Sequence, residues 1–175
     1  SERRARRLVE DAPFAVGANL KEVTEAVVAG RWDLLESFVA EFQNMAMRFK
    51  YARVPVVAAV QGMALGGGCE FLMHCAGRVL ALESYIGLVE AGVGLIPAGG
   101  GCKEFALRAA GLAARTPTND PMNFIQPVFQ TIAMATVAKS ALNARELGFA
   151  LDSDTVLFNA NELLFVAIRE ARAMA

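Results

Sequence analysis

Residues 55–75 read "PVVAAVQGMALGGGCEFLMHC", and how this stretch folds decides the architecture. The run "VPVVAAV" at 54–60 is short, continuous and rich in β-branched residues, as expected of a strand buried on both faces in a parallel sheet. "QGMALGG" reads as the turn after it, and "GGCEFLMHCA" as the start of a helix. Each of Gly66, Gly67 and Gly68 costs roughly 0.5–1 kcal/mol of backbone entropy relative to Ala. Glu70 stands among Cys69, Phe71, Leu72 and Met73, where an unpaired buried carboxylate would cost more. A gain elsewhere must offset both.

Several readings of the glycines stay open. Close packing of strand on helix is the simplest. A phosphate cradle is disfavoured: the dinucleotide fingerprint needs GxGxxG and the P-loop GxxxxGK before Ser or Thr. "GMALGGGCE" is neither, and its Glu would repel phosphate. An oxyanion hole is the third reading, because a helix starting near Gly67 offers unpaired N–H groups and the positive end of its dipole. The second donor would be the N–H of Ala18, just after Gly17 in "FAVGANL" at 14–20.

Two carboxylates fit beside these turns. Glu70 lies in the first turn of the proposed helix, and Glu90 lies in "GLVEAGVGLIP" with mostly apolar neighbours. Apolar surroundings raise a carboxyl pKa, whereas a helix N-terminus lowers it, so the two could share acid and base duties around one water. The plainer alternative is two solvated charges. His74 follows Glu70 by four and shares its helix face; with no HExxH spacing it reads as a packed or capping residue, and no metal site is expected. No thiol has an activating basic neighbour in sequence, and Ser84 and Ser140 lack a GxSxG elbow.

The 175 residues suit one domain with a small appendage, and an apolar fraction of 55% suggests a deep core plus a sticky face, hence an oligomer. Seventeen basic against eighteen acidic residues leave no excess for nucleic acid, and the arginines of "SERRARRLVE" read as a solvated terminus. Cys69, Cys75 and Cys102 are an odd set without CxxC, read as reduced thiols in a cytoplasmic chain. No apolar run is long enough to span a membrane.

Along the chain, 7–18 reads as a strand, a break and a second extended piece, and 18–29 as helical or irregular. A helix is expected from Arg31 to Lys50, with Leu35, Phe38, Phe42, Met45 and Phe49 as its apolar stripe. "RVLAL" at 78–82 returns to strand, the stretch 85–101 is extended, and 102–111 is a helix capped by Gly111. Residues 112–123 form a hinge, and two helical segments follow, over 128–149 and from about Glu162. Alternating strands and helices followed by helices make an α/β core with a helical tail.

Three blocks together resemble the crotonase superfamily, the enoyl-CoA hydratase/isomerase family: "FAVGANLKEV", "PVVAAVQGMALGGGCEFLMHC" and "YIGLVEAGVGLIPAGGG". "SALNARELGF" at 140–149 resembles a C-terminal segment of that family. The likeness covers roughly 14–110 well and 130–150 loosely, and is closest to the hydratase part of bacterial fusions with 3-hydroxyacyl-CoA dehydrogenase. It implies a ββα spiral core over 1–111, with its N-terminal unit missing or shortened, and a C-terminal helical trimerisation region over 112–175. It also implies a homotrimer or dimer of trimers, a fused or associated dehydrogenase, an acyl-CoA thioester substrate and no cofactor beyond the coenzyme A that the substrate carries.

Residue by residue, the resemblance makes Glu70 and Glu90 the catalytic pair, twenty positions apart as in the hydratases. It makes Ala18 and Gly67 the oxyanion donors, with Gly17, Gly66, Gly68, Ala98 and Gly99 shaping the substrate and water pocket. The implied reaction is hydration of a trans-2-enoyl-CoA in fatty-acid β-oxidation. An enoyl-CoA isomerase, another acyl-CoA enzyme of the same fold and a non-catalytic assembly module are the alternatives. The sequence departs from the family pattern at Asn19, where Asp is usual, and at Val89, where Pro is usual.

Overall fold

The structure is a computed structural model that describes residues 13–175. The expected strand before residue 13 and the arginine-rich opening lie outside the described residues.

Helix α1 (Leu20–Val28) begins at Asn19, whose side chain accepts the N–H of Lys21 as an N-cap. Helix α2 (Trp32–Lys50) has the expected span, but of the expected apolar stripe only Leu35, Phe42 and Phe49 are partly buried; Phe38 and Met45 are exposed, and Ala46 is the residue the helix buries. Strand β1 (Val57–Leu65), helix α3 (Gly67–Met73) and strand β2 (Gly77–Gly87) follow, and the two strands pair in parallel. A short 3-10 turn (Glu90–Val93) leads to helix α4 (Gly101–Ala113). Then come α5 (Met122–Ala133), β3 (Val137–Ala138), α6 (Ala141–Glu146), β4 (Thr155–Leu157) and α7 (Leu163–Met174).

β2 is the hub of the sheet. Its first half pairs with β4 in parallel, and its last two residues pair with β3 antiparallel. An extended piece at Phe14 and Ala15 runs parallel to β1, with Ala15 bonded through its N–H and C=O to Met63 and Leu65. The main core gathers Val60, Leu72, Leu80, Ile86, Leu88, Phe105 and Phe149, so residues on both sides of position 111 share it. Val79, Leu163 and Ala167 form a smaller core under α7.

Four sequence expectations are corrected. "QGMAL" is strand rather than turn: β1 continues to Leu65 through an irregularity between Val60 and Gly62, because pairing with both β2 and residue 15 satisfies its backbone. β2 likewise extends from 82 to Gly87. Gly111 does not cap α4; the helix runs on to Ala113, with Ala114 at its end. The helix expected over 128–149 is broken after Ala133, where Ala135 takes a positive φ, and restarts after Ser140, whose side chain caps Asn143.

α7 begins at Leu163, one residue after the expected position. β4, which sequence reading missed, is three residues long and carries no alternating pattern.

Candidate active site

The parallel β1–β2 pair and the strip at Phe14–Ala15 bring Gly17 and Gly66 together. A β-carbon on Gly17 would stand 3.2 Å from the Leu65 carbonyl oxygen, 3.6 Å from the Gly67 nitrogen and 3.8 Å from Cα of Gly66. Gly17 has φ +91° and Gly66 φ +55°, backbone states that L side chains rarely adopt. Both glycines are therefore required by conformation as well as by closeness. Gly67, the first residue of α3, and Ala18 lie on the two sides of this contact. Among the described residues, the N–H groups of Ala18 and Gly67 donate to no protein acceptor. Gly68 is used differently: a β-carbon there would meet Cβ of Ala15 at 2.6 Å, so this glycine lets α3 pack onto the strip at residue 15.

The carboxylates converge on the same place. Glu70 is buried, on the first turn of α3. Its Oε1 accepts the N–H of Gly101 at 2.9 Å. A β-carbon on Gly99 would overlap Oε2 of Glu70, and one on Gly101 would stand 3.2 Å from Oε1. Glu90 opens the 3-10 turn, and its Oε1 lies 3.1 Å from where a β-carbon on Gly66 would stand. Its Oε2 is buried and has no hydrogen-bond partner among the described residues. So the 99–101 turn holds Glu70, while Glu90 lies against Gly66.

Their electrostatics differ. Burial raises Glu70 above the ordinary carboxyl value, against hydrogen bonds from Gly101, Gly99 and Gly100 that favour its charged form. Burial also raises Glu90, and the Glu70 charge raises it further, to about 7; its own N–H and that of Val89 oppose this only in part. Near neutral pH the pair therefore tends to carry one proton, placed on Glu90.

Ala98 is exposed, and its carbonyl accepts Nε2 of Gln43 at 2.6 Å, which ties α2 to the glycine turn. Sequence reading gave no role to Gln43 and counted Phe42 only as core stripe. The structure sets the half-buried Phe42 ring 3.5 Å from where a β-carbon on Gly67 would be, and over Gly99 as well. Phe42 thus borders both glycine turns. Helical periodicity could not reveal this, because the stripe looks the same whichever surface it covers.

The family model described as "Enoyl-CoA hydratase/isomerase" matches residues 9–116. This chain belongs to the enoyl-CoA hydratase/isomerase family. Among curated relatives of this family member, a protein of Bacillus subtilis (strain 168) named "Probable 3-hydroxyacyl-CoA dehydrogenase" is 40% identical over 161 residues, which is 92% of this chain and 20% of that protein. The "Fatty acid oxidation complex subunit alpha" of Colwellia psychrerythraea is 38% identical over 88 residues, 50% of this chain and 12% of that protein.

In fold, this enoyl-CoA hydratase/isomerase member resembles the crystal structure of an enoyl-CoA hydratase from Polaromonas sp. JS666. The TM-score is 0.74 at 23% identity, over 94% of this chain and 56% of that one. The chain thus spans about a fifth of the first of these relatives and about half of the solved structure. The α/β sheet with its covering helices is the crotonase-type architecture expected from sequence. Among the described residues, no group of three or more His, Cys, Asp or Glu could hold a metal ion, and no helix is long and apolar enough to cross a membrane.

Proposed function

We propose that this chain adds water across the double bond of a trans-2-enoyl-CoA thioester. The observation that carries this reading is the unlike pair of acids: Glu70 held by glycine N–H groups, and Glu90 raised to about 7 with a buried, unpartnered oxygen. An enoyl thioester needs both halves of such a pair. The N–H groups of Ala18 and Gly67 hold the thioester oxygen and polarise the conjugated double bond. Glu70 takes a proton from a water; the resulting hydroxyl bonds to the β-carbon, and the π electrons move to the thioester oxygen. That oxygen carries the enolate charge, so the two donors act where charge develops. Glu90 then delivers its proton to the α-carbon as the enolate collapses. One proton leaves the pair and one enters, and water has been added.

In this reading Gly17, Gly66 and Gly99 keep side chains out of the space between the donors and the acids, and Ala98 and Gly68 support that wall. Isomerisation of a double bond needs one carboxylate to shuttle a proton, so the presence of both favours hydration. The coenzyme A belongs to the substrate, and no separate cofactor takes part.

The chain works in the cytoplasm, as a homotrimer or dimer of trimers built through residues 112–175. It acts in fatty-acid oxidation beside a fused or associated 3-hydroxyacyl-CoA dehydrogenase. Support for the assembly is the exposure of Phe129, Phe158 and Phe165 on the C-terminal elements. Support for the dehydrogenase is the printed names of the Bacillus and Colwellia relatives.

The test is loss of the enoyl thioester's ultraviolet absorbance with a short 2-enoyl-CoA. Wild type should consume it, and Glu70→Gln and Glu90→Gln should each slow it by orders of magnitude without changing the circular dichroism. Calorimetric titration with an acyl-CoA gives the counter-result: no heat and no turnover by wild type would make the chain an assembly module.

A further inference from the structure

Glu70 on α3 and His74 at the C-cap of that helix lie four residues apart and meet the same glycine turn at different residues. Gly99 and Gly101 border the Glu70 carboxylate, as described above. Gly100 borders the imidazole: a β-carbon on Gly100 would stand 2.7 Å from Cε1 and 2.9 Å from Nε2 of His74. His74 is buried to 2% exposure. Its Nδ1 lies 2.7 Å from the carbonyl oxygen of Glu70. A carbonyl can only accept, so Nδ1 carries the hydrogen. Nε2 is then the acceptor, and the Lys103 ammonium donates to it at 2.9 Å.

Burial holds His74 below its ordinary pKa, which agrees with the neutral tautomer. Its 3.4 Å approach to Oε1 of Glu104 is accordingly a close contact rather than an ion pair. Lys103 and Lys50 both bond Glu104, at 3.0 and 2.6 Å, so α2 and α4 brace the ring from the side away from Glu70.

We propose that His74 is a positioning residue for Glu70: its Nδ1–H fixes the Glu70 main chain, and its ring seats Gly100 in the turn whose Gly101 N–H holds the Glu70 carboxylate. The proposal rests on the reading of Glu70 as one of the two acid–base groups. The titratable groups around this pair are Glu90, Cys69 and Cys102 near Glu70, and Lys50, Lys103 and Glu104 near His74. Without the imidazole the turn loses its seat, and the hydrogen bond from Gly101 to the carboxylate lengthens. That bond favours the charged form, so Glu70 then titrates at higher pH.

The experiment compares wild type with His74→Phe, His74→Asn and Lys103→Met. Carbon-13 carboxyl NMR follows Glu70, assigned through Glu70→Gln, and short enoyl-CoA hydration is followed across pH. In His74→Phe the Glu70 titration and the acid limb of kcat should both move up by about 0.5 unit or more, with KM within about twofold. His74→Asn keeps a donor for the Glu70 carbonyl and should move less; Lys103→Met should move in the same direction. If His74→Phe does not fold, the other two variants give the same readout. A folded His74 variant whose Glu70 titrates as in wild type overturns the proposal. A wild type that hydrates no enoyl-CoA overturns the functional reading alone, because the carboxyl titration needs no substrate.

Discussion

Oε1 of Glu90 lies 3.1 Å from the point where a β-carbon on Gly66 would stand. The glycine turn at the start of α3 and the second acid are therefore fitted to each other, although twenty-four positions separate them in sequence. This contact brings a carboxyl raised to about 7 against the residue just before Gly67.

The pH dependence follows from the unlike acids. The proposed hydration requires Glu90 protonated and Glu70 ionised, so kcat/KM should be bell-shaped in pH. The alkaline limb should fall near pH 7, where Glu90 loses its proton. The acid limb belongs to Glu70, above the ordinary carboxyl value because burial outweighs its glycine hydrogen bonds. A profile flat from pH 6 to 9 would contradict the assignment of the proton to Glu90.

Glu90 should also make the protein less stable as pH rises. Its folded pKa, about 7, exceeds the ordinary 4.5, so the folded state holds a proton that the unfolded chain releases between those values. Stability is thus lost as pH rises through that window. Glu90→Gln removes the effect: at pH 8 it should gain on the order of 1–2 kcal/mol, after discounting for partial exposure, and at pH 4 nothing. Denaturant titrations at the two pH values read the difference.

Position 67 separates a donor from a side chain. A β-carbon on Gly67 would stand 3.5 Å from the Phe42 ring, an ordinary contact, so Gly67→Ala should fold and retain most activity. Gly67→Pro replaces an N–H that the first turn of a helix leaves unpaired with a ring carbon, so α3 should survive while the donor is lost and its place filled. Hydration should nevertheless fall about 10²–10³-fold, as for loss of one oxyanion donor. Equal activity in the two variants would remove Gly67 from the hole.

Asp154 tests the scaffold beneath the site. Buried Arg78 and Asp154 meet at 2.6 Å, and Arg78 also bonds the carbonyls of Leu72 and Cys75 at the end of α3. Asp154→Ala leaves a buried guanidinium without its charge partner and should cost about 3–5 kcal/mol. Replacing both residues with Leu should recover little of that loss in thermal melts, because Asp154 also accepts the N–H groups of Arg78 and Leu151, which Leu would leave unpaired.

Much of this was readable in the chain. The β-branched run at 54–60, the helix ending at Lys50 and the glycine block at 66–68 gave the order of strand, turn and helix, because local propensity and period carry that information. Glu70 and Glu90 were visible as carboxylates in apolar company. What failed was extent: β1 and β2 outran the predicted ends because strand length is set by the partner available, and a glycine that breaks an isolated strand can sit at a bulge in a paired one. β4, too short to show a pattern, exists because β2 offers it an edge.

The sequence by itself determined which groups this protein owns: three glycine-rich turns, two acids in apolar surroundings and a histidine one turn from the first of them. Only the tertiary structure decided their unlike states. Burial and neighbouring charge come from residues distant in the chain, so the N–H of Gly101 settles on Glu70 while Glu90 keeps an oxygen unpaired among the described residues and a raised pKa. The same holds for Phe42 over Gly67 and Gly99, and for His74 beneath Gly100: each is a contact between segments that folding alone brings together.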